Sequence, residues 1–529
     1  MPIEDQKAQP IARDGARRAP VDLDLPLTVD RDSGGPLPAQ IAAWFRGAIR
    51  DGRLDAAAAL PPSRALARAL GVARHVVVSA YEELIAEGYL TARQGAGIRV
   101  SLEVVPAVVA PARIGGGRPR WLLAADAGGL AAGDGASEGG AVLDFRLGAA
   151  SVAPLPPEAW RRAWRTAAAV MPPCDYGPPA GEPALREQIA HYLRRTRGLA
   201  CGADAVIVTS GATQAIAAIV EAVVRPGDTV ALEEPGYPPA RRIAVGRGAR
   251  LLPVPVDDDG MRVAALPTGT DAPILVHVTP AHQYPLGGRL PLPRRQALLA
   301  WAAASDSLIL ENDYDSEFRY GSAPLPALAS LAGGAERVAY VGTFSKVLSP
   351  ALRVGYIVAP PGLHTRIACA RAWDRDRVSH TVQLAVAALI AAGDLERHIR
   401  RVRRHHARRR TTLLDALASL PDDVRVRGAE GGLHVVLDAA ASVDIGMVLR
   451  DTAACGVAVE DVADYYLDQP DRCGLLLGYG GLEPVDVERG AAILLRALRA
   501  AVPAHHASQA IRFQAIGRDA VSPGHRLGG

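Results

Sequence analysis

Lysine is nearly missing from this chain: of 59 basic residues only Lys7 and Lys346 are lysine, and arginine carries the charge everywhere else. A guanidinium stays protonated, so arginine serves wherever charge alone is needed. A lysine that survives deep inside such a chain points to chemistry that requires a free amine. The five cysteines, Cys174, Cys201, Cys369, Cys455 and Cys473, are odd in number, scattered and without a C-x-x-C pair, which argues against a disulfide framework or a zinc site. No metal site is expected. No apolar run approaches the ~18 residues that would span a membrane. Met1 to Arg18 is polar and charged and lacks a signal-peptide core, so the cytoplasm is the expected location and no membrane partner is expected. The net charge of +3 is too small to mark a nucleic-acid partner by itself.

The 529 residues exceed what one ordinary core of ~100–200 residues would use, and a hydrophobic fraction of 49% suits globular folding. Charges mixed with Pro and Gly, and no period, mark residues 1–35 as a flexible tail. Residues 36–101 carry compact helical patterning, and 102–140 are rich in Pro, Ala and Gly, as a linker is. In 141–502 short apolar strands alternate with amphipathic helices, and 503–529 read as a disordered tail. Strands are expected at Val206–Thr209, Val230–Leu232, Ile274–Thr279, Leu308–Leu310, Val338–Val341 and Gly355–Val358, with helices such as Thr213–Val224 and Arg294–Ala304 between them. This alternation predicts an α/β domain with a mostly parallel, doubly wound sheet, followed by a long helix pair and a small C-terminal α+β subdomain.

In the N-terminal segment, Gln40–Asp51 places Ile41, Phe45 and Ile49 on one helical face. Ser63 is the expected cap of a helix to Leu70, Gly71 ends it, and Arg74–Glu87 forms the next. Short helix, Gly turn and longer helix make a helix-turn-helix, and Tyr89–Val100 reads as a strand pair around Gln94-Gly95-Ala96-Gly97, a wing. The strings Leu60-Pro61-Pro62-Ser63-Arg64-Ala65-Leu66-Ala67, Leu70-Gly71-Val72-Ala73-Arg74 and Tyr81-Glu82-Glu83-Leu84-Ile85-Ala86-Glu87-Gly88-Tyr89-Leu90 resemble the GntR-type winged helix. That resemblance implies that Arg64, Arg74 and His75 touch DNA and that the wing near Gly95 approaches a groove. His75-Val76-Val77 departs from the family's small polar residues there, so an operator sequence does not carry over.

The run Val341-Gly342-Thr343-Phe344-Ser345-Lys346 follows an expected strand, and Arg353 stands seven residues beyond the lysine. Lys346 offers an amine for a Schiff base, Arg353 a phosphate clamp and Thr343 a further hydroxyl. Gly211, Ala212 and Thr213 lie between a strand and a helix, where backbone amides cradle phosphate. Tyr237 could stack on a ring, and His282 in Pro280-Ala281-His282-Gln283-Tyr284-Pro285-Leu286-Gly287 could face a phenolic oxygen, although a structural histidine reads the same way. Amine, phosphate donors, ring face and pyridine partner are the set that pyridoxal 5'-phosphate needs.

In this order the motifs resemble the fold-type I aminotransferase superfamily. The H-Q-Y-P-x-G and E-x-D-Y-D-S-E-F forms, here His282–Gly287 and Glu311–Phe318, are similar to its MocR branch, in which a GntR-type winged helix is fused to that fold. The strings Thr279–Gly287 and Tyr314–Tyr320 are closest to the PdxR-like subgroup, linked to control of vitamin B6 supply. The resemblance implies a homodimer on double-stranded DNA, in which Tyr176 reaches the phosphate held by the neighbouring subunit. It implies a site at Asn312, Asp313 and Tyr314, and here the chain departs from its relatives. Where the branch has an Asp two residues before the site tyrosine, this chain has Asn312; an amide supplies no compensating charge, unless Asp313 takes over. Where aminotransferases place a carboxylate-binding Arg, Gly474-Leu475-Leu476-Leu477-Gly478-Tyr479 has leucine near Leu476, and Pro238 and Pro239 follow Tyr237, with Arg241 and Arg242 close by.

Three readings follow. A regulator would have its DNA binding modulated by the cofactor or a reacting amine, the small-molecule effector. An active aminotransferase would carry a DNA module. A DNA-binding protein would use the large domain as a scaffold without cofactor. Both departures favour the first. Arg397 to Arg410, with eight arginines and three histidines, reads either as a solvated helix face or as an auxiliary surface for DNA phosphates.

Overall fold

A computed structural model describes residues 27–31, 35–93, 97–102, 143–149, 155–321, 325–373 and 376–502. The chain divides into two compact units, Met1–Gly133 and Asp134–Gly529. Most of the expected tail at 1–35, nearly all of the linker at 102–140 and the tail at 503–529 lie outside the described residues, as does the wing tip with Gly95.

The first unit holds α1 (Leu37–Arg50), α2 (Ser63–Ala69), α3 (Arg74–Ala86) and the hairpin β1 (Leu90–Arg93) and β2 (Gly97–Val100). Ile41, Phe45, Ile49, Leu66, Val77, Tyr81 and Leu84 form its core, and the Tyr81 hydroxyl donates to the Pro61 carbonyl at 3.0 Å, tying α3 to the segment before α2. Val77 is fully buried, so its departure from a polar residue fills the core rather than a DNA face. Two expectations are corrected. Ser63 does not cap α2: Pro62 holds the cap position, and the Ser63 hydroxyl accepts from Arg74 Nε at 3.3 Å. The module also begins before Pro36, because Leu27 is buried in its core and Arg31 Nη2 donates to the Gly71 carbonyl at 2.6 Å.

The second unit starts with β3 (Leu143–Asp144) and is built on an eight-stranded sheet of order β4-β11-β10-β9-β8-β5-β6-β7. The strands are β4 (Val206–Thr209), β5 (Thr229–Glu234), β6 (Arg250–Asp257), β7 (Gly260–Met261), β8 (Leu275–Val278), β9 (Leu308–Asp313), β10 (Val338–Thr343) and β11 (Gly355–Val358). All but β11 and β7 run in one direction. The central strands β8, β9 and β10 are buried on both faces, which is why their sequences are mainly apolar. Strand β6 was not anticipated: Pro253 and Pro255 interrupt its pattern, a composition usually confined to sheet margins.

The 23-residue helix Asp394–Ala416 leads to β12 (Val424–Arg427), β13 (His434–Ala439), β14 (Val457–Ala458), β15 (Glu460–Asp461) and β16 (Cys473–Gly478). Here β12-β13-β16-β15 form an antiparallel sheet and β14 pairs with β3. Phe145, Leu437, Leu475, Leu477, Leu494 and Leu498 fill this smaller α+β core.

Burial makes several histidines neutral. His406 lies edge-on to Phe318 with both ring nitrogens unpartnered, and burial, then Arg409, push its pKa down to about 3. Burial likewise lowers His277 to about 4 and His434 to about 3. Unfolded histidine titrates near ~6.5, so below that pH the unfolded chain takes up protons that the folded chain refuses, and stability is lost as pH falls toward the depressed values. In urea melts these histidines therefore contribute a fall in stability from about pH 7.5 to about pH 5, opposed by the buried carboxyls of Glu233 and Glu311, which burial pushes up to about 8 and about 7. His406→Leu should shrink that fall by on the order of 1–2 kcal/mol; equal falls in both proteins would show that His406 carries no such penalty.

Candidate cofactor site

Loops at the carboxyl ends of a parallel sheet converge, and ligands of open α/β sheets bind there. The loops after β4, β5, β8, β9 and β10 carry Gly211, Tyr237, His282, Tyr314 and Lys346 respectively.

Lys346 is half-buried, and its Nζ donates to the Gly148 carbonyl at 2.8 Å. Burial lowers its pKa while Asp315 opposes the shift, so more of the amine is uncharged than in water. Thr343 is placed differently from expectation. Its buried hydroxyl donates to Ser345 Oγ at 2.9 Å and accepts from Ser345 N at 3.1 Å, bracing the turn before the lysine. The half-buried Ser345 is the hydroxyl beside the site that sequence reasoning passed over, though it adjoins Lys346.

Gly211 caps the helix Ala212–Val223 at φ +87°, with no side chain bonded to the helix start, so the amides of its first turn are open to an anion. Close approach of β11 supports this loop: a Cβ on Gly355 would stand 2.7 Å from the Gly211 carbonyl carbon. Arg353, two residues before Gly355, is exposed and held in a left-handed conformation at φ 52°, uncommon for a non-glycine residue. Burial pushes the Tyr237 hydroxyl pKa up, and Thr213, Arg242 and Arg353 oppose it, so these groups share one locality. The Tyr237 ring lies parallel to His277, 13° between planes and 6.2 Å between centroids.

Strand β9 separates Asn312 from Asp313. Asn312 is buried, its Nδ2 stands 3.4 Å from His277 Nε2, and its Oδ1 has no partner. Asp313, on the opposite face, accepts from Arg197 Nε at 2.9 Å and from the Tyr340 hydroxyl at 2.6 Å. Burial raises its pKa, but Arg197 outweighs that and holds the carboxyl low. The expectation that Asp313 joins the site is corrected: strand alternation and the Arg197 bond turn it away, so it cannot stand in for Asn312.

Tyr314 returns to the site face, its hydroxyl 3.1 Å from His282 Nδ1, and Asp315 Oδ2 is 3.0 Å from the same nitrogen. Burial pulls His282 down, yet Asp315 prevails and its pKa is raised. A Cβ on Gly432 would come within 2.2 Å of His282, so the glycine permits this packing. The His434 ring packs against His282 at 4.9 Å between centroids, tilted by 58°, and its Nε2 donates to the Pro285 carbonyl at 2.8 Å. Asp315 and His434 join the site from outside the expected set; His434 arrives from β13, far along the chain and without a motif. One ligand atom from each of His282, Asp315 and His434 lies within 4.8 Å of the others, and the bonds just described already engage His282 and His434.

No arginine takes the place where the sequence led to the expectation of a carboxylate anchor. Leu476 is buried among Val256, Leu286, Val436 and Tyr465, and Arg241 is spent on the Tyr465 and Tyr466 carbonyls at 2.8 and 2.7 Å. Tyr176 is 60% exposed. On the first unit, Arg64 lies in the first turn of α2 and Arg74 and His75 begin α3, all exposed.

Residues 144–470 match the family model for aminotransferase class I and II, and residues 37–100 match that for bacterial regulatory proteins of the gntR family. The chain is 35% identical over 460 residues to the HTH-type pyridoxine biosynthesis transcriptional regulator PdxR of Corynebacterium glutamicum, covering 86% of this chain and 95% of that protein. It is 32% identical over 489 residues to the probable rhizopine catabolism regulatory protein MocR of Rhizobium meliloti, covering 92% and 97%. Among solved structures it is similar to LysN, an α-aminoadipate aminotransferase of Thermus thermophilus, with a TM-score of 0.62, 27% identity, and coverage of 68% of this chain and 92% of that one.

The Asn312–His277 contact has a direct consequence. In an Asn312→Asp variant the new carboxylate beside Nε2 should lift the His277 pKa well above the wild-type value of about 4. Histidine side-chain NMR across the acid range checks this, and an unmoved His277 resonance would reject the contact.

Proposed function

The chain belongs to the MocR-type transcriptional regulators, which join a GntR-type DNA-binding domain to an aminotransferase-like domain, and we propose that its DNA binding responds to pyridoxal 5'-phosphate, or to an amine that reacts with it, at Lys346. The observation that carries the reading is the desolvated Lys346 amine on the same end of the sheet as an open helix start at Gly211 and a buried Asn312 Oδ1 with no partner.

The donor set fits the cofactor. Lys346 would hold it through its amine, and the Gly211, Ala212 and Thr213 amides with Arg353 would take the phosphate. Tyr237 would face the ring, Asn312 would meet the ring nitrogen, and Tyr314 with His282 would face the phenolic oxygen. When bound, the cofactor supplies an electrophilic aldehyde and an electron-poor ring. Asn312 offers one neutral hydrogen bond and no charge, so it does little to keep that ring protonated. His282 and Asp315 hold a proton beside the Tyr314 hydroxyl, at Nδ1. Arg64, Arg74 and His75 would meet DNA. Exposed Tyr176 suits a homodimer in which it completes the partner's phosphate site. The similarity to the pyridoxine biosynthesis regulator supports the cofactor itself as effector.

The reading of an active aminotransferase rests on the family match and on Lys346; Asn312 and Leu476 weigh against it. Purified wild type mixed with pyridoxal phosphate should keep a visible absorption band after desalting, and Lys346→Ala should not. Operator binding by wild type should shift with the cofactor while binding by Lys346→Ala stays constant. Equal responses of both proteins would overturn the regulatory role of the lysine. Turnover of an amino-acid panel at ordinary enzyme rates, on the order of 10 per second, would instead favour the aminotransferase.

A further inference from the structure

The helix Asp394–Ala416 has no acid between Arg397 and Arg410, and its eight arginines there divide into two groups. Five are engaged. Arg397 bonds the Ala392 carbonyl and Asp394, Arg403 the Glu317 carbonyl at 2.7 Å, and Arg409 the Gly480 carbonyl and Glu483. Arg410 reaches the Ala429 carbonyl and lies 5.3 Å over the Tyr320 ring, and Arg401 is half-buried with a partner of its own. Arg400, Arg404 and Arg408 are exposed and form no ion pair with any described residue.

We infer that Arg400, Arg404 and Arg408 form a second contact surface for the phosphate backbone of duplex DNA, separate from the winged helix. Steps of four residues keep the three on one side of the helix, about 12 Å from first to last at ~1.5 Å per residue. One DNA strand presents a phosphate roughly every 3.4 Å of axis, so this length faces about three or four. An open groove lined by Gln188, His191, Arg195, Glu396, Arg397 and Arg400 extends the basic face, and its one acid, Glu396, is bonded to Arg195. Helix pairs that serve solubility mix the two signs; this stripe has one sign, exposed side chains and planar donors suited to phosphate.

The inference rests on the DNA-binding reading above. The test uses the full chain and a duplex of about 40 base pairs of arbitrary sequence, with affinity measured against salt. Replacing the three residues by Gln (R400Q, R404Q, R408Q together) should flatten the logarithmic salt slope by roughly 2–3, at about 0.9 per lost phosphate contact. The matching Lys variant, R400K, R404K and R408K, should retain the slope and shows that the fold survives substitution here. A control that removes three exposed arginines elsewhere, R225Q, R262Q and R366Q, should leave it unchanged. Wild-type binding with equal slopes in the Gln variant, or an equal loss in the control, overturns this inference alone. A Gln variant that keeps its duplex affinity but loses affinity for single-stranded RNA assigns the stripe to a different polyanion and overturns it too. No duplex binding by wild type at low salt overturns both it and the DNA-binding reading.

Discussion

A buried ion network around Arg197 orders the site from behind. Arg197 meets Asp313 and Glu317 at 2.9 Å each, with side chains no more than 11% exposed, and Tyr340 and Tyr192 donate to the same two carboxylates at 2.6 and 2.7 Å. Such a network is poor evidence for net stability, because stripping water from the charges offsets their attraction. Its effect is on register. Removing one partner would leave an uncompensated buried charge at a cost of about 3–5 kcal/mol, so β9 has little freedom to slide or turn. With Asp313 fixed behind the sheet, alternation leaves Asn312 and Tyr314 on the face toward His277 and His282.

That division explains what was legible in the sequence and what was not. Composition located the central strands because burial on both faces favours apolar residues, and the scarcity of lysine singled out Lys346 without any fold. The ambiguity between Asn312 and Asp313 could not be resolved on paper: both are short polar residues at the end of one strand, and the choice is made by Arg197, contributed from a helix more than a hundred residues earlier. His434 was invisible for a related reason. It is an ordinary histidine in an ordinary strand, and only the return of the chain through β13 brings it against His282. Local rules also mislead where a neighbour competes for the same group. Ser63 has the residue type of a helix cap, yet it lies one residue inside the helix and its hydroxyl accepts from Arg74.

The same economy governs the arginines. Arg295 is almost wholly buried and serves three carbonyls, those of Leu290, Pro326 and Pro280, and Arg409 bridges a carbonyl and a carboxylate. A planar fork with several donors can meet such scattered acceptors, which a single ammonium cannot. Arginine in this chain is therefore as much a structural connector as a charge, and a count of arginines says little about a partner until those connectors are set aside.

Asn312 and Leu476 have a common meaning when the site is considered as a sensor. A catalyst gains by binding its transition state more tightly than its ligand, whereas a sensor gains only from a difference in affinity between two states of the protein. For the second purpose a ligand that persists is better than one that is converted. On the proposed reading, an amide in place of a carboxylate would keep a hydrogen bond at the ring nitrogen while withholding the charge that drives conversion. If Leu476, packed with Val256 and Tyr465, stands in place of a carboxylate anchor, it would withdraw a grip that draws ordinary amino acids into the reaction. On that reading each substitution would preserve occupancy and weaken turnover, and both lie in the chain that carries Lys346, the open helix start at Gly211 and the GntR-type unit.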